Sequence, residues 1–184
     1  MQAHFNEEKT TQAAALLLKL RGDKMSYMKL IKLLYIVDRE AIRRWGFPVT
    51  GDAYFSMKHG PVLSGVLDLV NESPDDASYW HQHISEPTVG KELTLTKPVS
   101  TEMLSQAEID LITEVFKSYG HLTRWTVRDV THTFPEWQNP GAGHQEISYQ
   151  EILVAVGKSP DEAEETADEI ENANFVNNLL QCRR

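Results

Sequence analysis

Apolar residues recur at three- and four-residue intervals between positions 27 and 45, the clearest periodic pattern in the chain. This spacing predicts an amphipathic helix that begins after Ser26 and ends at Trp45, with Gly46 following it and Pro48 beyond. We expect one apolar stripe of this helix to face the core. The stripe consists of Tyr27, Leu30, Ile31, Leu34, Val37, Ala41 and Trp45.

Capping residues predict the other helices. Asn6 suits the start of a first helix over residues 7–20, and Gly22 suits its end. Three Ser-x-x-Glu capping boxes each satisfy two otherwise unpaired backbone donors, and they open helices that end near 119, near 157 and towards the C-terminus. The boxes begin at Ser105, Ser148 and Ser159. A further short helix is expected over residues 123–131.

Short alternating segments predict a small amount of sheet. Residues 53–57 read as one strand, and residues 92–97 as another that pairs with 79–85 in an antiparallel hairpin. Pro61 suits the first position of a short third helix, so Gly60-Pro61 would form a rigid corner between strand and helix. Free amides at such a corner could bind an anion, although a purely structural corner is the simpler interpretation.

The last segment of the chain is acidic and predicts a separate helix. We divide the protein into a compact, mostly α-helical domain with a small antiparallel hairpin or sheet, residues 1–158, and an acidic C-terminal helix, residues 159–184. That helix is either packed on the domain or an appendage. Its first half has a thin apolar stripe, and its second half has a stronger one that we expect to make the contact. The two stripes are Ala163, Ala167 and Ile170, and Phe175, Val176, Leu179 and Leu180.

Charge and composition narrow the class of partner. The 184 residues carry a net charge of −9, of which −5 lies from Ser159 onward. Phosphate repulsion makes such a chain a poor general binder of nucleic acid, so a protein partner with a basic surface is expected. Cys182 is the only cysteine, which excludes an internal disulfide. No secretory signal or membrane-spanning run is visible, and we expect a cytoplasmic protein.

No convincing catalytic constellation is present, and we expect neither enzymatic activity nor a cofactor. Two alternatives remain open. His81 and His83 would share one face of a strand and could bind a metal, although a polar face without metal is the simpler interpretation. His132 could act as a general base in a hydrolase, although a structural role is the simpler interpretation for a histidine beside Trp137.

Several residues are candidates for contact with a partner protein. Basic residues of the second helix would form a patch, or else pair with Glu40 on the same helix. Exposed aromatic rings commonly anchor interfaces, and the acids of the last helix could cover a basic groove. The candidates are Lys32, Tyr35, Arg39, Arg43, Lys58, His59, Trp125, Asp161, Glu164, Glu165 and Asp168.

Three segments together resemble the Panacea domain, a family of SocA-like, antitoxin-like and phage-associated proteins. The first is Leu30-x-Lys32-Leu33-Leu34-Tyr35, and the second is Met57-Lys58-His59-Gly60-Pro61-Val62. The third is Thr131-His132-Thr133-Phe134-Pro135-Glu136-Trp137. Their order and spacing also agree with the family. In this resemblance Gly60, Pro61, His132, Pro135 and Trp137 are motif residues with a structural role.

The resemblance implies a mostly helical domain and a non-enzymatic antitoxin that neutralises a toxin by direct protein contact. The toxin would be encoded by the adjacent gene. One branch of the family resembles adaptors that deliver a toxin to a protease, so an adaptor or phage-associated scaffold is the main alternative, and self-association stays open. Met57 and His59 depart from the aromatic residues usual at their positions, and the acidic C-terminal helix lies outside the family pattern.

Overall fold

The computed structural model describes residues 5–72 and 77–181, with side chains described up to residue 172. The helices are α1 (Glu7–Leu20), α2 (Tyr27–Trp45), α3 (Ser64–Asn71), α4 (Tyr79–His83), α5 (Gln106–Tyr119), α6 (Arg124–His132), α7 (Tyr149–Ala155) and α8 (Pro160–Gln181). The strands are β1 (Lys24–Ser26), β2 (Tyr54–Met57), β3 (Gly60–Leu63), β4 (Glu92–Thr94) and β5 (His144–Ile147). Within the described ranges, no helix is both long and apolar enough to cross a membrane.

Helix α2 lies at the centre of the molecule, in contact with α1, α3, α5, α6, α7, β1 and β3. Its predicted bounds are confirmed, and Gly46 ends it in a left-handed conformation with φ of 80°. The prediction of a single buried stripe is wrong, because every residue from Lys29 to Asp38 is buried. Ten consecutive residues turn through almost three helical turns, so all sides of this part of α2 are covered.

The local capping signals were reliable. Asn6 caps α1 by accepting a hydrogen bond from the Lys9 amide at 2.9 Å. The capping boxes at Ser105 and Ser148 are both complete, and Ser159 and Glu162 make the corresponding bonds at the start of α8. These contacts depend only on residues three positions apart, which explains why sequence alone locates them.

The segment around Pro61 differs from the prediction. Strands β2 and β3 form an antiparallel hairpin with Met57 opposite Gly60, and Lys58-His59 is its two-residue turn. Pro61 therefore lies in a strand rather than at a helix start, and the proposed anion-binding corner is absent. Helix α3 begins three residues later, and its Gly65 and Val66 amides are satisfied by the Asp52 carboxylate at 2.8 and 3.0 Å. Strand β5 completes the sheet in the order β3–β2–β5.

The predicted hairpin of residues 79–85 and 92–97 is confirmed only at its end. Residues 79–83 form helix α4, and β4 pairs with β1 in a separate two-stranded sheet, with Leu93 opposite Met25. The two segments still meet in an antiparallel bridge between Ile84 and Leu95, which side-chain hydrogen bonds of Ser85 and Thr96 extend. Trp80, on α4, is fully buried. Burial of this large ring fixes the segment as a helix against α1.

Helix α8 packs on the domain through its first half, whereas the contact predicted for its second half falls on side chains outside the described residues. Ala163, Ala167 and Ile170 are buried, and α8 lies against α7. Small alanine side chains allow the two helices to approach closely. The second apolar stripe, Phe175 to Leu180, and Cys182 lie outside the described side chains, so the predicted division at residue 158/159 stays a prediction.

Asp38 is a buried carboxylate that holds the loop after α2. It accepts hydrogen bonds from the amides of Val49 and Thr50 at 2.9 and 3.0 Å, from the Thr50 hydroxyl, and from Tyr54 Oη at 2.9 Å. Burial raises the pKa of Asp38, and the four donors act in the opposite direction. The loop that leads from α2 to β2 is thus fastened to the middle of α2.

Replacing Asp38 by Asn should destabilise the fold by about 2–4 kcal/mol, because one acceptor oxygen is lost and an amide group faces buried donors. Urea unfolding followed by circular dichroism measures this change. Asp129→Asn, at an exposed position of α6, is the control and should stay within about 0.5 kcal/mol of the wild type. Similar midpoints for the two variants would contradict the role given to Asp38.

Candidate functional site

The three motif segments meet on one side of α2. Lys32, Tyr35 and Arg39 are spaced by three and four residues and therefore share a face of the helix. Strand β3 lies against that face, and the turn that follows α6, residues 133–137, closes over it. We call the residues that meet here the motif cluster. They are Lys32, Tyr35, Arg39, Gly60, Pro61, His132, Phe134, Glu136 and Trp137.

Glu136 joins the third motif to the first. Its buried carboxylate accepts a hydrogen bond from Tyr35 Oη at 2.9 Å and from Arg39 Nε at 2.7 Å. The Arg39 guanidinium also lies 4.2 Å from the centre of the Phe134 ring, which stacks on Tyr35. Burial, followed by the Glu136 charge, raises the pKa of Tyr35 well above its usual value, so the phenol remains a donor. The carboxylate is thus satisfied by one neutral and one charged donor.

Lys32 lies at the centre of the cluster and is 99% buried. Its Nζ donates a hydrogen bond to the Pro61 carbonyl oxygen on β3. No carboxylate of the described residues forms an ion pair with it. Burial lowers the pKa of Lys32 to about 7, because an ammonium without a counter-ion is costly in an apolar environment.

His132 and Trp137 form the outer part of the cluster. Their rings stack in parallel, with centroids 3.9 Å apart, and Trp137 Nε1 donates to the Met57 carbonyl oxygen at 3.1 Å. The His132 imidazole also hydrogen-bonds the backbone of His59, while its buried Nε2 has no partner. Burial, then the charge of Arg128, lowers the pKa of His132. The pair therefore ties the end of α6 to the β2–β3 hairpin.

Gly60 of β3 packs closely against side chains of α2 and α6. Its φ of 96° is left-handed, and a Cβ built there would lie 2.9 Å from both Lys32 Nζ and Thr131 Oγ1, and 3.1 Å from His132 Cδ2. Both the backbone conformation and the lack of space require glycine. The Gly60-Pro61 segment thereby lets the three motifs converge.

A cavity of about 470 Å³ opens beside the motif cluster, and we call it the Lys32 groove. It runs between the start of α2, the β2–β3 hairpin, α3 and the loop after Trp137. Lys32 and Gly60 belong to both the groove and the cluster. The other lining residues are Tyr27, Met28, Ile31, Met57, Lys58, His59, Val62, Leu67, Gly141, Ala142 and Gly143.

The structure corrects the predicted basic patch on α2. Lys32 and Tyr35 are buried, so neither belongs to an exposed basic surface on α2. Lys29 is also buried, with its Nζ 2.6 Å from the carbonyl oxygens of Gly120 and Leu122. Arg39 is committed to Glu136, whereas Arg43 is exposed and pairs with Glu40. The positive charges of α2 thus mainly hold neighbouring segments in place.

The other candidates for partner contact lie at the surface. Lys58 and His59 are exposed at the hairpin tip, and Trp125 is 46% exposed. The acids Asp161, Glu164, Glu165 and Asp168 are exposed on α8. Of the motif residues, Gly60 and Pro61 are buried, His132 and Trp137 are half-buried, and Pro135 is exposed. The structure brings Lys58 and His59 to the groove that Lys32 lines, whereas the α8 acids do not line it.

Sequence reasoning missed Glu136, the residue on which the cluster closes. Its one signal was its position inside the Phe134-Pro135-Glu136-Trp137 run. The alternative metal site also loses its geometric basis, since residues 79–83 form a helix rather than a strand. There the His81 ring is bound to the Leu69 carbonyl oxygen and His83 to that of Tyr79, each at 2.9 Å.

Comparison with protein-family models gives a match to this chain. The model of the family described as "Antitoxin SocA-like, Panacea domain" matches residues 30–138, more than half of the chain. The matched range includes every residue of the motif cluster, from Lys32 to Trp137. No curated protein and no solved structure matches the chain.

Replacing Gly60 by Ala should destabilise the fold by about 3 kcal/mol or more, since a left-handed φ costs about 1–2 kcal/mol and crowding adds to it. Gly141→Ala is the matched control, because its φ is 70° and no atom lies within 4 Å of a built Cβ. Denaturant unfolding of the two variants separates backbone strain from crowding. Equal losses of unfolding free energy in the two variants would show that crowding against Lys32, Thr131 and His132 does not contribute.

Replacing Lys32 by Met should change how stability depends on pH. Below pH 7 the folded wild type contains a buried ammonium. Between pH 7 and 10.5 the unfolded state binds more protons than the folded state, so the contribution of Lys32 to stability rises with pH. The stability of Lys32→Met relative to the wild type should therefore fall over this range, by at most about 5 kcal/mol.

Urea unfolding of both proteins at several pH values between 6 and 10.5 tests this expectation. Lys58→Met, at the exposed hairpin tip, is the control for removal of a lysine from the same region. Parallel stability curves for Lys32→Met and the wild type would show that burial does not perturb Lys32.

Proposed function

Because this chain belongs to the SocA-like Panacea domain family, we propose that it is an antitoxin that neutralises a small protein toxin by binding it directly. The family match is the observation that carries the proposal. It spans residues 30–138, so it coincides with the segments that build the motif cluster. A cytoplasmic location and a toxin encoded by the adjacent gene belong to the same proposal.

The motif cluster supports a binding function rather than chemistry. Its contacts join α2, β3 and the 133–137 turn, so most of its polar groups serve to hold these segments together. Glu136 is bound to Tyr35 and Arg39, and His132 Nε2 has no hydrogen-bonded nucleophile. We therefore propose that the protein acts without a catalytic step.

Trp125 is an exposed aromatic ring suited to protein contact. It projects from the first turn of α6, and the guanidinium groups of Arg124 and Arg128 lie 5.0 and 5.1 Å from its ring. Tryptophan and arginine are the residues most enriched in interface hot spots. Flanking guanidinium groups also limit the freedom of the ring, which lowers the entropic cost of binding. Trp125 is thus the strongest exposed anchor among the predicted candidates.

Helix α8 presents a negative surface that suits a basic toxin. Ala163, Ala167 and Ile170 attach the helix to the domain, so its acidic residues face solvent in a fixed arrangement. Complementary charge increases the rate of association and disfavours other partners. A toxin that handles RNA or nucleotides carries a basic groove, and we propose that the acidic face of α8 covers such a groove.

Co-expression with the product of the adjacent gene tests the proposed function. Rescue of growth together with a complex that co-purifies is the expected result. Rescue with loss of the neighbouring protein and no complex would favour the adaptor alternative, in which a protease removes the toxin. A harmless neighbour that does not co-purify would contradict the antitoxin proposal.

Reversing three acids of α8, by Glu164→Lys, Glu165→Lys and Asp168→Lys together, should weaken toxin binding by about tenfold or more at low salt. Isothermal titration calorimetry at two salt concentrations measures the affinity. The control combines Glu72→Lys, Glu86→Lys and Glu102→Lys, three exposed positions with the same total change of charge. Equal affinities for the two triple variants would exclude a specific role for the α8 surface.

A further inference from the structure

The Lys32 groove combines apolar walls with positive charge, in a protein that is acidic overall. Tyr27, Met28 and Ile31 of α2 form one wall, and Val62 and Leu67 contribute to the other. The lining also contains two lysines and a histidine but no aspartate or glutamate. The groove is therefore complementary to a ligand with an apolar part and a negative charge.

Lys32 is a buried cation with one hydrogen-bond acceptor and no counter-ion among the described residues. Its environment provides the Pro61 carbonyl oxygen, whereas an ammonium can donate three hydrogen bonds. Buried charges in proteins are normally paired, and none of the carboxylates described in the structure pairs with this one. A carboxylate supplied from outside would complete the site.

Lys29 shows that this arrangement is not simply how α2 accommodates a lysine. Lys29 is buried one turn earlier on the same helix. Its Nζ donates hydrogen bonds to the carbonyl oxygens of Gly120 and Leu122, just after α5, each at 2.6 Å. It thus has a structural task in joining two helices, and it does not line the groove. Lys32, by contrast, borders a cavity.

Lys32 borders the groove directly. Gly60 packs tightly against it, since a Cβ on this residue would lie 2.9 Å from Lys32 Nζ. Both residues line the groove, so the Lys32 side chain forms part of its wall. The volume of about 470 Å³ accommodates one or two side chains.

We propose that the Lys32 groove receives a segment of the toxin in which an aspartate or glutamate lies beside a bulky apolar residue, and that this carboxylate pairs with the Lys32 ammonium. This inference rests on the proposed function and assigns a surface to it. The apolar residue contacts Met28, Ile31 and Leu67, and Lys58 at the rim attracts the approaching acid. A pair formed with a buried lysine is sensitive to loss of either partner, because the remaining charge stays buried and unpaired.

The test is the affinity of purified toxin for the wild type, Lys32→Met and Lys29→Met, measured by calorimetry at pH 6.5, with folding checked by circular dichroism. Methionine keeps much of the length of the lysine side chain and removes the charge. We expect Lys32→Met to bind at least about tenfold more weakly, and Lys29→Met to change affinity by less than about threefold. Leu67→Glu, which adds a like charge to the half-buried groove wall, should also weaken binding about tenfold or more.

A double-mutant cycle identifies the partner residue. Each acid of the toxin is replaced by its amide, and the amide variant of the paired acid should lose affinity for the wild type but little further affinity for Lys32→Met. If Lys32→Met does not fold, Leu67→Glu and the amide series on the toxin decide the matter.

Three results would overturn the inference. Tight binding by the wild type with unchanged affinity in both Lys32→Met and Leu67→Glu would reject the groove and leave the antitoxin function intact. A change in self-association of Lys32→Met, detected by light scattering, would assign the groove to a second copy of this chain. Absence of any binding by the wild type would reject the antitoxin function and the groove together.

Discussion

Residues 29–38 of α2 are buried on all sides, and the surrounding segments are arranged to satisfy their polar side chains. A buried helix satisfies its own backbone, but each polar side chain that it carries must find a partner in the segments around it. Lys29 binds the end of α5, Asp38 binds the loop before β2, and Tyr35 and Arg39 bind Glu136. Segments far apart in the chain are thus attached to successive turns of one helix.

The family motifs have a common physical explanation in this arrangement. The first motif supplies the polar groups of α2, the second brings a strand close enough to contact Lys32, and the third contributes the carboxylate that Tyr35 and Arg39 require. Gly60 permits the close approach, and the stacked His132 and Trp137 hold the two outer segments together. The motifs are therefore parts of one packed cluster rather than three separate sites.

Lys32 is less well satisfied than these residues, because its ammonium has one hydrogen-bond acceptor and no counter-ion among the described residues. Its burial lowers its pKa to about 7, which means that the protein tolerates an unfavourable charge at this position. Perturbed ionisable groups beside a cavity are common at functional sites, because stability is given up there for binding. In contrast, the acids of α8 lie in solvent, where their ionisation is inexpensive and their charge is available to a partner. In the proposed complex, the groove and the α8 surface are the two parts of the protein that contact the toxin.

Local signals in the sequence are enough to place α1, α2 and α5 at their observed bounds, α6 to within one residue, and the capping boxes, because caps and apolar periodicity depend on neighbours within one or two turns. They also indicate the three motifs, but not that they meet. Long-range packing decides that Pro61 lies in a hairpin, that residues 79–83 form a helix, and that Lys32 and Tyr35 are buried rather than exposed. Strand pairing and burial on the far side of α2 depend on segments up to a hundred residues away, and no local pattern records which segment will cover which face.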